Sequence, residues 1–488
     1  MINTKIIYKI LGSLLFIEVA LMMTCLGVAL VYDEDDVFSF LVSIVVTLVA
    51  GILCRLKGYK ADNNLSRRDA YLVVTVAWVV FSLFGTMPYM VGGYIDNFTD
   101  AFFETMSGFT TTGATIINDV ECLPHGILFW RSLTQWIGGL GIVFFTIALL
   151  PSMVGGSTKI FAAEATGPIK SKLHPRLSTS AKWLWAVFLT ITLSAMGCYM
   201  LCGMDSFEAI NYAMTSAATG GFAIYNDSVT HFHSPMLDYV VTFFCFISGV
   251  NFTLLYASVA KLKFKNLMKN AEFRFYLFSV FASTAAVMLA LIFKNGYGIE
   301  HAFRNSLFEV VTALTTTGFA NDNAGNWAHI TWVVLIVCMF LGANSGSTSG
   351  GFKSIRSVMV IKIIKNEFRQ MLHPNAIVPL KLDSINVPMQ KRVTLLAFLA
   401  SYMLILAISI FLMSLAGVES VDCVSISFSS LGNVGPAFGS DIGPNDSWAI
   451  LPDSCKWISS ILMLIEPVCY LSLFRLVIGV SINMSECG

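Results

Sequence analysis

Apolar runs long enough to cross a bilayer recur along the whole chain, and clusters of basic residues separate them at intervals. A membrane span needs about 20 apolar residues. The stretch from Ile10 to Tyr32 meets that length, and a second run follows the acidic cluster Asp33-Glu34-Asp35-Asp36. Only 12% of residues are charged and 56% are hydrophobic, with a mean hydropathy of +0.73. A soluble domain carries about 25% charged residues, so this chain cannot coat a soluble surface of its size. Lys5 and Lys9 before the first run mimic a secretory signal. The run is longer than a signal's apolar core and no small-residue cleavage site follows, so a retained helix is expected.

The charges are sorted along the chain. Most of the 30 Lys and Arg residues fall at Lys5 and Lys9 and in four segments: Arg55 to Arg68, Lys159 to Lys182, Lys261 to Arg274, and Lys353 to Arg392. Acidic segments lie between them, at Asp96 to Glu104, Asp119 to Glu121, Asp205 to Glu208, Asp322, and Asp441 to Asp453. Basic loops face the cytoplasm. Basic runs that alternate with apolar spans read as topology rather than as a nucleic-acid surface. The expected surroundings are a lipid bilayer, with no nucleic acid. The 11 cysteines include no C-x-x-C pair. Cys198 and Cys202 are spaced to meet on a helix, but no His or carboxylate stands at ligand spacing, so small apolar packing residues are expected.

Two plain helices, roughly 8–32 and 37–57, are followed by a unit that recurs. An apolar helix leads outward, a short amphipathic stretch ends in a glycine-bearing loop, and a second apolar helix returns to a basic segment. The loops centre on Gly113, Gly220, Gly318 and Gly435. Their spacing of roughly one hundred residues is far too long for a solenoid. The expected fold is an all-α polytopic membrane protein, with four pseudo-repeated helix–pore loop–helix modules around one central pore and two N-terminal helices. The expected divisions are 1–62 for the N-terminal pair, then modules at 63–158, 159–262, 263–370 and 371–488. The third module has a broken second helix. Ten spans put both termini on the cytoplasmic side.

Each short stretch, such as Phe102 to Thr110, must enter and leave by one side. Irregular backbone at membrane depth is tolerated only where it is buried or lines a water cavity. Four such loops around an axis can replace an ion's hydration shell with carbonyl oxygens. The candidate filter is Thr111, Thr112 and Gly113; Ala218, Thr219 and Gly220; Thr316, Thr317 and Gly318; and Asn433, Val434 and Gly435. Glycine reaches backbone angles that turn carbonyls inward without a Cβ clash. The short helices aim their partly negative ends at the cavity, which favours a bare monovalent cation. One Thr-Thr-Gly alone would read as a turn or helix cap; four in equivalent places read as a pore.

A second constellation, Gly342 to Gly351, interrupts the return helix of the third module, otherwise expected at about 328–365. Gly, Ser and Asn break a helix. Placed below the filter, Gly346, Ser347, Thr348, Ser349, Gly350 and Gly351 form a candidate gate, with Lys353 stabilising the closed position. A packing kink is the alternative. A Gly-x-Ser-x-Gly nucleophile elbow is not present, because Thr348 holds the middle position of 346–350, and neither Ser/His nor paired Asp is found at span depth, so no enzyme is expected. Thr134 to Gly141 in the first return helix reads as close helix contact, with Arg131 within reach of the outer mouth. Asp96, Asp100, Glu104, Asp205, Glu208, Glu300 and Glu419 precede the loops. They either concentrate cations at the mouth or are solvated residues near helix starts.

With these motifs assembled, the chain resembles the TrkH group of the Trk/Ktr/HKT superfamily of potassium transporters. The carrying residues are the four loops, Thr134–Gly141, Gly249-Val250-Asn251-Phe252 and the Gly342–Lys353 breaker, and the resemblance covers essentially the whole chain. It implies K⁺ at the filter residues and uptake through a gated, channel-like pore in the bacterial inner membrane. It also implies a homodimer with one pore per subunit and a cytoplasmic, TrkA-like ring of nucleotide-binding regulatory subunits. This chain has no Gly-x-Gly-x-x-Gly fingerprint, so the nucleotide is expected on the partner alone. Plant relatives with Ser at the first filter position conduct sodium, so Gly113 points to potassium. H⁺- or Na⁺-coupled symport is the alternative, with Glu466 as the deep carboxylate such coupling needs. One departure stands out. The family's final helix carries Gly-Arg-Leu-Glu, with its arginine below the filter, whereas Glu466-Pro467-Val468-Cys469 occupy the matching positions. Arg475 lies about 12 Å further along a helix, which shifts the expected gating role towards Gly342–Gly351.

Overall fold

The computed structural model describes residues 3–59, 61, 66–141, 177–260, 264–375, 378–383 and 385–468. The chain opens with Thr4–Tyr32, started by Asn3, whose side chain accepts the Ile6 N–H. It turns at left-handed Asp33 and returns as Val37–Lys57. The two helices meet at glycines: a Cβ on Gly12 would lie 2.8 Å from the Gly51 carbonyl oxygen. Small residues at such crossings let backbones approach closely.

Four modules follow, each with an outward helix, a pore helix and a return helix. The first consists of Arg67–Gly85, Phe98–Phe109 and His125–Gly139. The second has Leu177–Leu201, Ser206–Ala218 and Pro235–Ser248. The third has Ala271–Asn295, Ile299–Leu314 and His329–Leu341, and the fourth Met389–Leu415, Ser420–Gly432 and Asp453–Val468. Among the described residues six helices are each long and apolar enough to cross a membrane: the N-terminal pair and the four outward helices. The fold is thus the expected all-α polytopic membrane architecture. Lipid-facing positions such as Phe278, Phe281, Phe293 and Phe411 are exposed, while Trp78, Trp130, Phe103 and Tyr276 fill the interior.

Among the described residues two return helices are interrupted. The third-module break was expected: His329–Leu341 stops at Gly342, and a new helix, Ser354–Leu372, begins after Lys353. The second-module break was not. Pro235–Ser248 is followed by Phe252–Ser258 at a bend of 102°. The Asn251 side chain accepts the Leu254 N–H at 3.1 Å, capping a fresh helix where sequence periodicity runs on uninterrupted. Between modules three and four a short hairpin pairs Lys381–Leu382 with Ile385–Asn386. Lys159, Lys170, Lys172, Arg176, Lys261, Lys263, Cys469 and Arg475 lie outside the described residues.

Candidate functional site

Each pore helix ends in the same turn. Thr111, Thr219, Thr316 and Asn433 are left-handed, with φ of 56°, 53°, 56° and 51°. The next residue, Thr112, Gly220, Thr317 or Val434, donates its N–H back to Ser107, Thr215, Thr312 or Ser429 at 2.9, 2.9, 2.8 and 3.0 Å. That is the Schellman way of ending a helix. A left-handed threonine is rare because its β-branch crowds the backbone. Such strain, about 1–3 kcal/mol per residue, persists where the surroundings enforce it.

The residue after that is a glycine with positive φ in all four loops: Gly113 (86°), Gly221 (79°), Gly318 (78°) and Gly435 (106°). The second loop is therefore in a different register from the one the sequence suggested. Gly220 matches Thr112, Thr317 and Val434; the positive-φ glycine is Gly221. Ala218 is the last residue of its helix and accepts from the Thr219 hydroxyl at 2.7 Å. The signal for Gly221 was present in the sequence: Gly221-Phe222 repeats Gly318-Phe319. Two consecutive glycines hid it.

The four glycines close a ring. A Cβ on Gly113 would lie 2.1 Å from the Gly220 carbonyl oxygen, one on Gly221 2.0 Å from that of Thr317, one on Gly318 2.1 Å from that of Val434, and one on Gly435 2.6 Å from that of Thr112. Each loop packs its bare Cα against a carbonyl of the next, and the fourth returns to the first. Both φ and space demand glycine at these positions. Gly113, Gly221, Gly318 and Gly435 also line one cavity, shared with Arg131, Ala320 and Pro436. A ring of backbone oxygens is the arrangement that substitutes for a cation's hydration shell.

Side chains behind the ring hold it unevenly. Gln135 donates to the Gly220 carbonyl at 2.7 Å and accepts the Phe222 N–H at 3.0 Å. Glu104, fully buried, accepts Arg131 Nε at 3.0 Å, the Ile116 N–H at 2.9 Å and the Thr115 hydroxyl. Arg131 in turn donates to the Ala223 carbonyl at 2.9 Å, joining loops one and two. The glycines beside Gln135 pack as expected: a Cβ on Gly138 would lie 1.8 Å from the Phe109 carbonyl oxygen. The glycine packing is legible in the sequence, whereas the clamp made by Gln135 is not.

The Gly342–Lys353 segment lies against the ends of the pore helices. Thr348 donates to the Ala217 carbonyl at 3.0 Å, and the Gly350 N–H donates to the Thr316 hydroxyl at 2.7 Å. A Cβ on Gly350 would lie 2.2 Å from the Gly432 carbonyl oxygen. Loops two, three and four are thus all touched from the helix-terminal side. Ser349 and Thr316 share a hydroxyl contact of 3.4 Å, and Ser347 donates to the Asn344 carbonyl at 2.7 Å. The Gly346 carbonyl accepts the Phe252 N–H at 3.0 Å, so the bent second-module helix grips the segment. Gly351 and Lys353 both have positive φ, 77° and 75°. Lys353 is buried and donates to the Ser349 carbonyl.

The acidic residues before the loops separate into classes. Asp100 pairs with Lys456 at 2.6 Å, Glu104 with Arg131, and Glu300 with Arg304 at 3.1 Å. Asp205 and Glu208 form a capping box at the start of the second pore helix. Asp96 and Glu419 are exposed.

A family model described as TrkH, a cation transport protein, matches residues 37–469. The chain is 31% identical over 465 residues to the Trk system potassium uptake protein TrkH of Halomonas elongata, covering 95% of this chain and 96% of that one. It is 31% identical over 457 residues to the protein of the same name from Escherichia coli, covering 93% and 94%. The crystal structure of the potassium transporter TrkH from Vibrio parahaemolyticus matches it with a TM-score of 0.88 at 29% identity, covering 98% of this chain and 99% of that chain.

Proposed function

The chain belongs to the TrkH family of cation transport proteins, and on that premise we propose that it takes up potassium through a gated pore whose selective element is the four-loop ring. The observation that carries this reading is the closed sequence of glycine-to-carbonyl contacts through Gly113, Gly221, Gly318 and Gly435. Backbone carbonyls of the four loops, within 111–113, 218–220, 316–318 and 433–435, coordinate the dehydrated ion. Thr111, Thr219, Thr316 and Asn433 set the turn, and Ala218 ends its helix. Residues Gly346 to Gly351, with Lys353, form the gate beneath.

The four modules, divided near 63, 159, 263 and 371, are read as one pore per subunit of a homodimer in the bacterial inner membrane. Basic segments and both termini face the cytoplasm, as the charge pattern favours. A TrkA-like nucleotide-binding ring on that side regulates the gate, and this chain itself holds K⁺ rather than a cofactor. Membership of a Trk system, as the relatives' names state for those proteins, supports a partner.

The test is flux of K⁺, Rb⁺ and Na⁺ into liposomes holding the purified protein, with and without gradients of the other ions. Faster K⁺ and Rb⁺ than Na⁺ flux, running only downhill, is expected; equal Na⁺ and K⁺ flux removes the selectivity claim. H⁺- or Na⁺-coupled symport is the second reading. Glu466, a carboxylate in the last helix facing Lys353 and Arg356, favours it, and uphill K⁺ uptake driven by an H⁺ or Na⁺ gradient would establish it.

A further inference from the structure

One carboxylate holds the start of the gating segment. Glu272, 5% exposed, accepts the Ser345 N–H at 2.5 Å. The Lys353 ammonium, at the far end of the segment, acts electrostatically on the same carboxylate. Glu272 stands in the first turn of Ala271–Asn295. The N–H groups of a first turn have no partner within their own helix. Here Asp383 supplies one, accepting the Ala271 N–H at 3.0 Å, with Asn270 Nδ2 at 3.5 Å.

Asp383 is left-handed, with φ of 50°, and it follows the first strand of the Lys381–Asn386 hairpin. The hairpin is seated by buried Leu382 and Val387, while Lys381, Asp383 and Asn386 are exposed. On its other side the Lys381 carbonyl accepts Lys362 Nζ at 2.8 Å. Lys362 belongs to Ser354–Leu372, the helix that leaves the gating segment. The contacts form a circuit: gating segment, departing helix, hairpin, first turn of the third outward helix, Glu272, and back to the segment at Ser345. A displacement of the hairpin acts on both ends of the segment at once.

We propose that Glu272 is a positioning residue that latches the gating segment in its closed place, and that the Lys381–Asn386 hairpin is the lever by which a load on that face releases it. This rests on the gating role assigned to Gly346–Gly351 above. It adds the element on which a regulatory partner acts and the route its action takes.

The experiment is Rb⁺ flux through the full-length protein in liposomes, alongside the Rb⁺/Na⁺ flux ratio, for Glu272→Ala, Glu272→Gln, Asp383→Ala and a variant shortened within Gly346–Gly351. Glu272→Ala is expected to raise basal flux about tenfold, the shift in an open–closed ratio that follows from losing one charge-assisted hydrogen bond. Glu272→Gln keeps an acceptor for Ser345 but loses the charge facing Lys353, so a smaller rise is expected. Asp383→Ala raises flux in the same direction, and the ion ratio stays at the wild-type value in all three. In the shortened-gate background Glu272→Gln adds nothing, because residues acting through one element are not additive. Wild-type flux in folded Glu272→Gln and Asp383→Ala proteins, or full additivity with the shortened gate, overturns the latch while leaving the gate intact. A shortened variant with no rise in flux instead removes the gating role on which the latch depends.

Discussion

The first and third pore loops are nearly the same in sequence and are held in opposite ways. Both read Thr-Thr-Thr-Gly. Both bond the first and third threonine hydroxyls to each other, at 2.9 Å in Thr110–Thr112 and 2.8 Å in Thr315–Thr317. Both place a buried glutamate at the same point of the pore helix, Glu104 and Glu309. Glu104, however, is neutralised by buried Arg131 and accepts from Thr115. Glu309 meets the Asn321 N–H at 3.3 Å, and Ala320 stands where the first loop has Thr115. Among the described residues no cation pairs with Glu309. What the third loop has instead is the Thr316 hydroxyl accepting the Gly350 N–H from the gating segment. One loop is braced by fixed helices behind it; the other leans on the segment assigned to move. The fixed brace and the proposed gate thus bear on different loops of one ring.

The largest effect should appear when that brace is cut. Arg131→Met leaves Glu104 buried and uncompensated, at a cost of about 3–5 kcal/mol, whereas Glu309→Gln removes no partner and costs about 1 kcal/mol or less. Thermal unfolding in detergent should therefore separate the two variants widely, and equal losses would mean the loops are braced alike after all.

Next in size is the register of the second loop. Gly221→Ala forces a Cβ onto the Thr317 carbonyl at positive φ. Gly220→Ala meets the Gln135 side chain, a neighbour able to shift. The K⁺/Na⁺ flux ratio should fall about tenfold in the first and by a smaller factor in the second. The reverse order would restore Gly220 as the equivalent of Gly113.

The smallest effect concerns the lean on the gate. Thr316→Val removes the acceptor for Gly350 and should raise K⁺ flux several-fold, as loss of about 1 kcal/mol of hydrogen bonding allows. Thr111→Val, at the matching place in the first loop, should raise flux by a smaller factor. A like rise in both would erase the distinction between the two sides.

The architecture was legible in the sequence because its signals are long. Apolar runs and alternating basic segments set the helix order, and the run Gly342–Gly351 is too rich in Gly, Ser and Asn to continue a helix. Contacts between distant residues were not legible. Glu104 reads with the other acids before the loops, since nothing local reveals that Arg131, a full helix away in the chain, lies beside it. The Gly249–Asn251 bend is hidden because a single capping Asn inside an apolar stretch leaves hydropathy unbroken. Glu272 reads as an ordinary first-turn acid, which favours a helix start on its own account. Only the fold brings Ser345 to it.

The loop glycines let neighbouring carbonyls converge, and the Rb⁺/Na⁺ flux ratio of Gly113→Ser in liposomes, compared with the unaltered protein, tests this most directly. The added Cβ meets the Gly220 carbonyl oxygen, 2.1 Å away, and must displace it. The ratio should fall towards unity while total flux persists. A ratio unchanged from the parent, in a folded and conducting variant, would contradict the assignment of this ring as the selective site.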